Sequence, residues 1–113
     1  MATARMIQVP DIDGSPTKAW EYYEALAAAG STSDVLVPDG VQNVSVTAES
    51  TATSVMVYTT TSPVYKVEDA TATWVEWDLG AITTAATDTT QAVTAIRATQ
   101  TGAGASKLHL RAQ

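Results

Sequence analysis

Short segments in which apolar and polar residues alternate recur from residue 41 onward, and they constrain the fold more than any other feature. Val44 and Val46 are separated by a polar residue, and so are Leu108 and Leu110. Residues two apart lie on the same face of a β-strand. Breaks rich in Ser, Thr, Asp, Gly and Pro separate the segments at a spacing of roughly ten residues, which is typical of sandwiches and barrels. The pattern predicts a mainly β fold, an antiparallel β-sandwich of the Ig-like or jelly-roll-like kind.

The composition supports this prediction. Of the 113 residues, 19 are Thr and 12 are Val, whereas Lys and Glu together number only 8. Thr and Val are stiff at χ1 and fit a pleated surface, so they favour strands. The polar faces of the predicted sheets therefore consist mainly of hydroxyl groups, with few charges.

A different pattern precedes the alternating segments. Residues 16–29 begin with Pro16, end before Gly30, and place Trp20 and Tyr23 on one helical stripe. Proline suits the first turn of a helix and glycine suits the position after its end. We therefore predict one short N-terminal helix in this segment.

The two patterns suggest how the chain is organised. We predict an N-terminal arm and helix over residues 1–40, followed by a β-sandwich domain over residues 41–113. At 113 residues the chain has the length of one domain, so we expect a single compact unit.

The charge distribution argues against nucleic acid as a partner. The net charge is −6, with −9 in residues 1–88 and +3 in the remainder, which carries Arg97, Lys107 and Arg111. Nucleic-acid-binding domains present clustered positive charge to phosphates. The basic final segment has two interpretations: its strands pair with acidic strands of the same fold, or they form a basic edge that docks onto an acidic neighbouring subunit.

Groups for catalysis or metal binding are scarce. The chain has no Cys, and its single histidine, His109, lies between Lys107 and Arg111 on the predicted polar face of the last strand. We therefore expect no enzyme activity, no catalytic residues, no metal site and no cofactor. The apolar runs are far shorter than the roughly 18 residues that span a bilayer, and residues 1–14 lack a signal-peptide core. We expect synthesis in the cytoplasm and no membrane role.

Residues 50–113 contain an ordered series of strand and turn motifs. The segment Trp74–Gly80 nearly matches a Trp-x-x-Leu-Gly strand, and a Thr-rich hairpin follows it. A hydrophobic-Arg strand comes next at Ile96–Thr99. A Thr-Gly-x-Gly turn at Thr101–Gly104 then leads to a closing amphipathic strand, Lys107–Arg111.

With these motifs, residues 50–113 resemble a small β-sandwich found in phage virion proteins. This resemblance implies a capsid decoration or cement protein, or a related head-fibre or tail accessory module. Such a protein stabilises the phage head by contacts between subunits, and its location is the virion. The implied partners are the major capsid protein or other virion subunits and further copies of the chain, with a trimer favoured.

Two sets of residues are candidates for contact with partners. In the first, aromatic and apolar anchors of the N-terminal segment combine with the basic side chains of the final strands. Residues 1–10 could also add a strand to a neighbour. This interface set consists of Arg5, Met6, Ile7, Trp20, Tyr23, Arg97, Lys107, His109 and Arg111. The alternative function is a glycan- or receptor-binding module of a fibre or tail, whose platform would be Trp74, Glu76 and Asp78 on one face of a predicted strand.

Overall fold

A computed structural model describes residues 3–10, 13–14 and 16–112 of the protein. Within these residues the chain forms eleven strands and one short helix. The elements are β1 (Thr3–Arg5), β2 (Ile7–Pro10), β3 (Pro16–Leu26), β4 (Gly30–Ser31), β5 (Asp34–Leu36), β6 (Asn43–Ser50), β7 (Ser54–Thr60), α1 (Val64–Glu68), β8 (Val75–Glu76), β9 (Ala85–Gln91), β10 (Ala95–Thr101) and β11 (Ser106–Ala112).

The strands form two sheets with the nested pairing of a jelly roll. Sheet 1 has the order β1-β5-β10-β7-β8, with β4 also paired to β10, and sheet 2 has the order β2-β3-β11-β6-β9. β3 pairs with β11, β5 with β10, β6 with β9 and β7 with β8, all antiparallel. One long hairpin that is rolled up gives this set of pairs, and double-sheet jelly rolls have this architecture. The prediction of a β-sandwich is confirmed.

The core lies between the two sheets and follows the predicted alternation. On β6 the residues alternate between exposed and buried, and β11 does the same. The apolar partners Val46 and Leu110, which are opposite each other in the ladder, are both completely buried. Val57 and Ile96 of sheet 1 belong to the same cluster. Burial of apolar area at about 25 cal/mol per Å² makes this cluster the main source of stability.

The predicted N-terminal helix is wrong, because the segment forms β3, the longest strand. Trp20 and Tyr22 lie opposite Ala112 and Leu110 of β11 and pack against the core. They share the inner side of the sheet, whereas Tyr23 points outward and is exposed. The spacing of Trp20 and Tyr23 had indicated a helical stripe. Trp and Tyr have high strand propensity, and seven ladder partners on β11 override the helix propensity of the segment.

The short helix of the fold lies within residues 41–113, where we predicted strands only. α1 follows Pro63, and Val67 on its inner side packs in a small cluster with Leu36 and Ala95. This cluster covers the outer side of sheet 1 beyond the main core. The predicted strand over residues 74–79 shrinks to the two residues of β8, because the chain turns at Gly80, whose carbonyl accepts a hydrogen bond from the Trp77 indole at 2.7 Å.

The first 40 residues do not form a separate arm and helix. β1 pairs in parallel with β5 at the edge of sheet 1, and β2 pairs with β3 at the edge of sheet 2. Met6 lies between these strands and is buried in the main core. The described part of the arm therefore completes both sheets of its own chain; residues 1 and 2 of the predicted arm lie outside the described residues.

Candidate interaction surface

The outward side of sheet 2 gathers most of the candidate residues on one surface. On β11 the residues Ser106, Leu108, Leu110 and Ala112 are buried, so the residues between them point outward. The ladders to β3 and β6 continue this outward set across the sheet. We call it the sheet 2 face; it consists of small residues, among them Ala25, Ser45 and Thr87, and of Ile7, Glu21, Tyr23, Thr47, Glu49, Lys107, His109 and Arg111.

An acidic residue lies beside each end of the basic strand β11, and the two acids are on opposite sides of that strand. Arg111 lies opposite Glu21 of β3, and its Nη1 is 3.8 Å from Glu21 Oε2. Lys107 lies opposite Glu49 of β6, at the other end of β11 and on its other side. The first interpretation of the charge asymmetry, pairing within the fold, is therefore confirmed for Arg111. Both side chains of the 3.8 Å pair are about half exposed, so the pair itself stabilises the monomer little.

An exposed aromatic pair lies between the two charged ends. Tyr23 is 56% exposed and makes an edge-to-face contact with His109, with ring centroids 6.3 Å apart and an interplanar angle of 78°. The rings border a depression of about 380 Å³ that is also lined by Ile7 and Glu21. Ile7 is 69% exposed. Apolar and aromatic groups of this size are typical anchors of protein and ligand contacts.

Hydroxyl groups form the remainder of this surface. Thr47 continues the row of Tyr23 and His109, and its Oγ1 lies 2.9 Å from Oγ1 of Thr87 on β9. Cross-strand Thr pairs of this kind stabilise the sheet and leave short polar side chains on its surface. The sheet 2 face thus carries short polar side chains beyond β11 and aromatic ones beside β2 and β3.

Behind this surface, Tyr22 acts as a structural group. Its hydroxyl donates to Glu24 Oε1 at 2.5 Å, and the backbone N–H of Ser33 donates to the same carboxylate. Burial, together with the hydrogen bond to Glu24, raises the pKa of Tyr22 to about 12. The phenol is therefore neutral at ordinary pH and fixes the end of β3 to the following loop.

Arg97 lies on the other sheet. Its Nη1 is 3.5 Å from Oδ1 of Asp34, and its guanidinium lies over the Trp74 ring at 4.2 Å from the centroid. The Asp34 side chain is only 3% exposed. Desolvation raises the pKa of Asp34 from its ordinary value, and the charge of Arg97 opposes that shift. Arg97 thus joins β10, β5 and the segment that carries Trp74.

The structure does not assemble the predicted glycan platform of Trp74, Glu76 and Asp78. Trp74 is half-buried and packs against the cluster formed by α1, β5 and β10. Glu76 and Asp78 are exposed and line a groove of about 360 Å³ between β8 and β9, and Trp74 is not part of its lining.

The interface set is likewise divided. Five of its nine members lie on the sheet 2 face: Ile7, Tyr23, Lys107, His109 and Arg111. Met6 is in the core, and Trp20 is half-buried on the inner side of β3. Arg5 is exposed on β1, and Arg97 is on sheet 1.

Sequence reasoning missed Glu21, Thr47 and Glu49 as members of this surface. All three alternate with inward residues on β3 or β6, so period-two alternation would have identified them. That signal was readable for Thr47 and Glu49 on β6. For Glu21 it was hidden because its segment had been interpreted as helical.

The described residues contain no group of three or more His, Asp or Glu side chains placed to hold a metal ion. No helix among them has the length and apolar character needed to cross a membrane.

Comparison with known proteins identifies the fold and leaves the family open. No family model matches the sequence, and no curated protein matches it. Structures of oxalate oxidase superpose with a TM-score of 0.59 at 9% identity; one covers 95% of this chain and 48% of its own. A complex of oxalate oxidase with glycolate gives the same score and identity, with 96% and 48% covered. This chain thus spans about half the length of those proteins. At such identity the likeness concerns the fold alone.

A subunit of the disulfide-linked pili that form Bacillus endospore appendages is 14% identical, and the match covers 100% of this chain and 94% of that one. Its TM-score of 0.44 is too low to carry an argument.

Proposed function

We propose that the protein is a non-enzymatic structural protein that acts by binding other protein chains, and that it decorates the head of a phage-type virus particle. The observation that supports binding is the sheet 2 face, which exposes Tyr23 and Ile7 beside four charged side chains. A monomer gains nothing from leaving a Tyr 56% exposed and an Ile 69% exposed in one depression, whereas a partner that covers them contributes hydrophobic free energy.

The side chains whose pKa values are shifted also support a structural role. Strongly shifted pKa values often mark catalytic sites. Tyr22 and Asp34, whose pKa values are shifted, are held by contacts that link strands and loops. Tyr22 borders the depression that contains Glu21 and His109, but its hydroxyl is engaged by Glu24 on the inner side of β3.

The particular assembly follows from the sequence resemblance in residues 50–113. Jelly rolls occur in viral capsid proteins, lectin domains and cupins, so the fold is compatible with a virion protein and with other functions. A decoration protein stabilises a shell by mass action, because it binds the assembled state and not the dissociated one. The major capsid protein is the partner that this proposal names.

The test compares particles that are assembled with and without this chain. We expect the chain to sediment with the particles at a fixed ratio to the major capsid protein, and to raise the temperature at which the shells open. If the chain stays in the supernatant and the two shells open at the same temperature, the proposal is wrong.

A second candidate function, glycan binding, is favoured by one observation. The exposed Tyr23 ring stands beside His109 and Glu21 in the depression described above, and sugar rings stack on aromatic faces while their hydroxyls bond to polar neighbours. This candidate replaces the platform around Trp74 with one around Tyr23. Glycan-array binding that is lost in Tyr23→Ala and kept in Trp74→Ala would support this function, and an empty array would reject it.

A further inference from the structure

We infer that the sheet 2 face is the contact between two copies of this chain that are related by a two-fold axis. The inference rests on the proposed function, namely that the protein acts by binding other chains, and it names one of those chains. It follows from the order of charges across the sheet.

The four charges are arranged so that the surface is complementary to itself. Arg111 and Lys107 lie on β11 on either side of His109, four residues apart. Glu21 is beside Arg111 on the β3 side, and Glu49 is beside Lys107 on the β6 side. The two acids thus lie on one diagonal across the basic strand.

A two-fold axis can pass over His109 in the plane between two facing copies of sheet 2. Such an axis places unlike charges opposite each other at both ends of β11. Neighbouring strands are ~4.8 Å apart and alternate residues on a strand ~6.8 Å apart. The axis is rotated from the direction of β11 toward Glu21 by about half the angle that Arg111 and Glu21 subtend at His109. Arg111 of each copy then faces Glu21 of the other. The same operation places Lys107 opposite Glu49 of the second copy.

The resulting crossing angle suits sheet packing. In this arrangement the strands of the two copies cross at about 35°, which is close in size to the ~30° between aligned, stacked sheets. A second in-plane axis at right angles to the first also opposes unlike charges, with Arg111 facing Glu49 and Lys107 facing Glu21. No charge of the four meets a like charge in either arrangement.

The uncharged part of the surface fits the same contact. In the first arrangement Tyr23 lies over the hydroxyl row near Thr47 of the second copy. Its ring would lose the exposure that it has in the monomer. Two-fold contacts use one surface patch on both subunits, so a patch that is complementary to itself is what such a contact requires.

The test is an exchange of charge between two variants. R111E and E21R each place like charges opposite each other in a homodimer: R111E opposes two carboxylates across the contact, and E21R opposes two guanidinium groups. Like charges across an interface cost several kcal/mol, so we expect each variant alone to dimerise at least about tenfold more weakly than the wild type. In an equal mixture, both opposed pairs of a heterodimer are again unlike, so we expect dimers to return.

Sedimentation equilibrium of the wild type, each variant and the mixture measures this. The matched control is Glu68→Arg on α1, an exposed acid far from sheet 2 in the fold, which should leave the dimer unchanged. Circular dichroism establishes that each variant is folded. If E49R restores dimers with R111E in place of E21R, the second axis is the one used and the two-fold contact stands.

Two results would overturn the inference: a wild type that is monomeric at its highest soluble concentration, or variants whose mixture gains no dimer with either partner. A monomeric protein that still sediments with particles would refute the two-fold contact and leave the proposed function intact. A dimer that binds no particle would refute the proposed function and leave the two-fold contact intact.

Discussion

The ion pair of Arg97 and Asp34 offers the sharpest test of how the outer side of sheet 1 is held together. Substituting Arg97→Met keeps much of the apolar stem and removes the charge. Asp34, whose side chain is 3% exposed, then stays buried without its partner, and the Trp74 ring loses the guanidinium that lies at 4.2 Å. Removing one partner of a fully buried pair costs about 3–5 kcal/mol.

The structure reduces that figure. Arg97 is 23% exposed and the pair is separated by 3.5 Å, so the interaction is partly screened by water. We therefore expect a loss of about 2–3 kcal/mol in the free energy of unfolding at pH 7. Asp34→Asn in the same background removes the buried unpaired charge, so it should restore about 1–2 kcal/mol of the free energy of unfolding. The effects of the two substitutions are therefore not additive, as expected for residues in contact.

Urea unfolding of the wild type, both single variants and the double variant gives the coupling energy directly. The pH dependence adds a second readout. Without Arg97 the desolvation that raises the pKa of Asp34 loses its main opposing influence, so the folded state of the variant binds a proton more readily than the unfolded chain does. Its deficit in stability should therefore shrink as the pH falls from 7 towards 4. A variant within about 0.5 kcal/mol of the wild type, or single effects that simply add, would refute this reasoning.

Three further predictions concern the core, a turn and the loss of stability at alkaline pH. Leu110→Ala should cost about 2–5 kcal/mol in chemical unfolding, since Leu110 is fully buried in the main core; a smaller loss would mean that the sheets pack otherwise. Gly104→Ala should lower Tm more than Gly40→Ala, because both glycines have positive φ but only a Cβ at Gly104 meets backbone, at 2.8 Å from Ala52 Cα. Equal effects would contradict the close approach. Raising the pH from 10 to 12 should destabilise the wild type, because the unfolded chain loses the phenolic proton that the fold retains at Tyr22; in Tyr22→Phe this part of the loss, on the order of 1–2 kcal/mol, should vanish from pH-dependent melts.

The sandwich could be predicted from the sequence wherever one side of a strand meets the core and the other meets water. β6 and β11 show this condition most clearly, since their buried and exposed residues alternate along the whole strand. The outward positions of Lys107, His109 and Arg111 follow from the same alternation, and the prediction placed them together correctly.

β3 could not be recognised in the same way. Its inner side carries Trp20, Tyr22 and Glu24, and Glu24 interrupts the apolar alternation. The carboxylate can lie on the inner side because a tyrosine hydroxyl and a backbone N–H donate hydrogen bonds to it. Alanines follow the strand and favour a helix by propensity. The strand forms because β11 supplies a full ladder, which is a long-range contact that no local pattern reveals. The membership of Glu21 in the sheet 2 face was lost with it.

The central claim is that this chain works by contact with other protein subunits of a particle. Electron cryo-microscopy of particles from cells that make the chain tests it most directly. We predict density of about 41 × 33 × 23 Å, the dimensions of the molecule, attached to the shell at regular positions and fitted by the jelly roll. Complete shells with no such density, in cells where the chain is abundant, would contradict the claim.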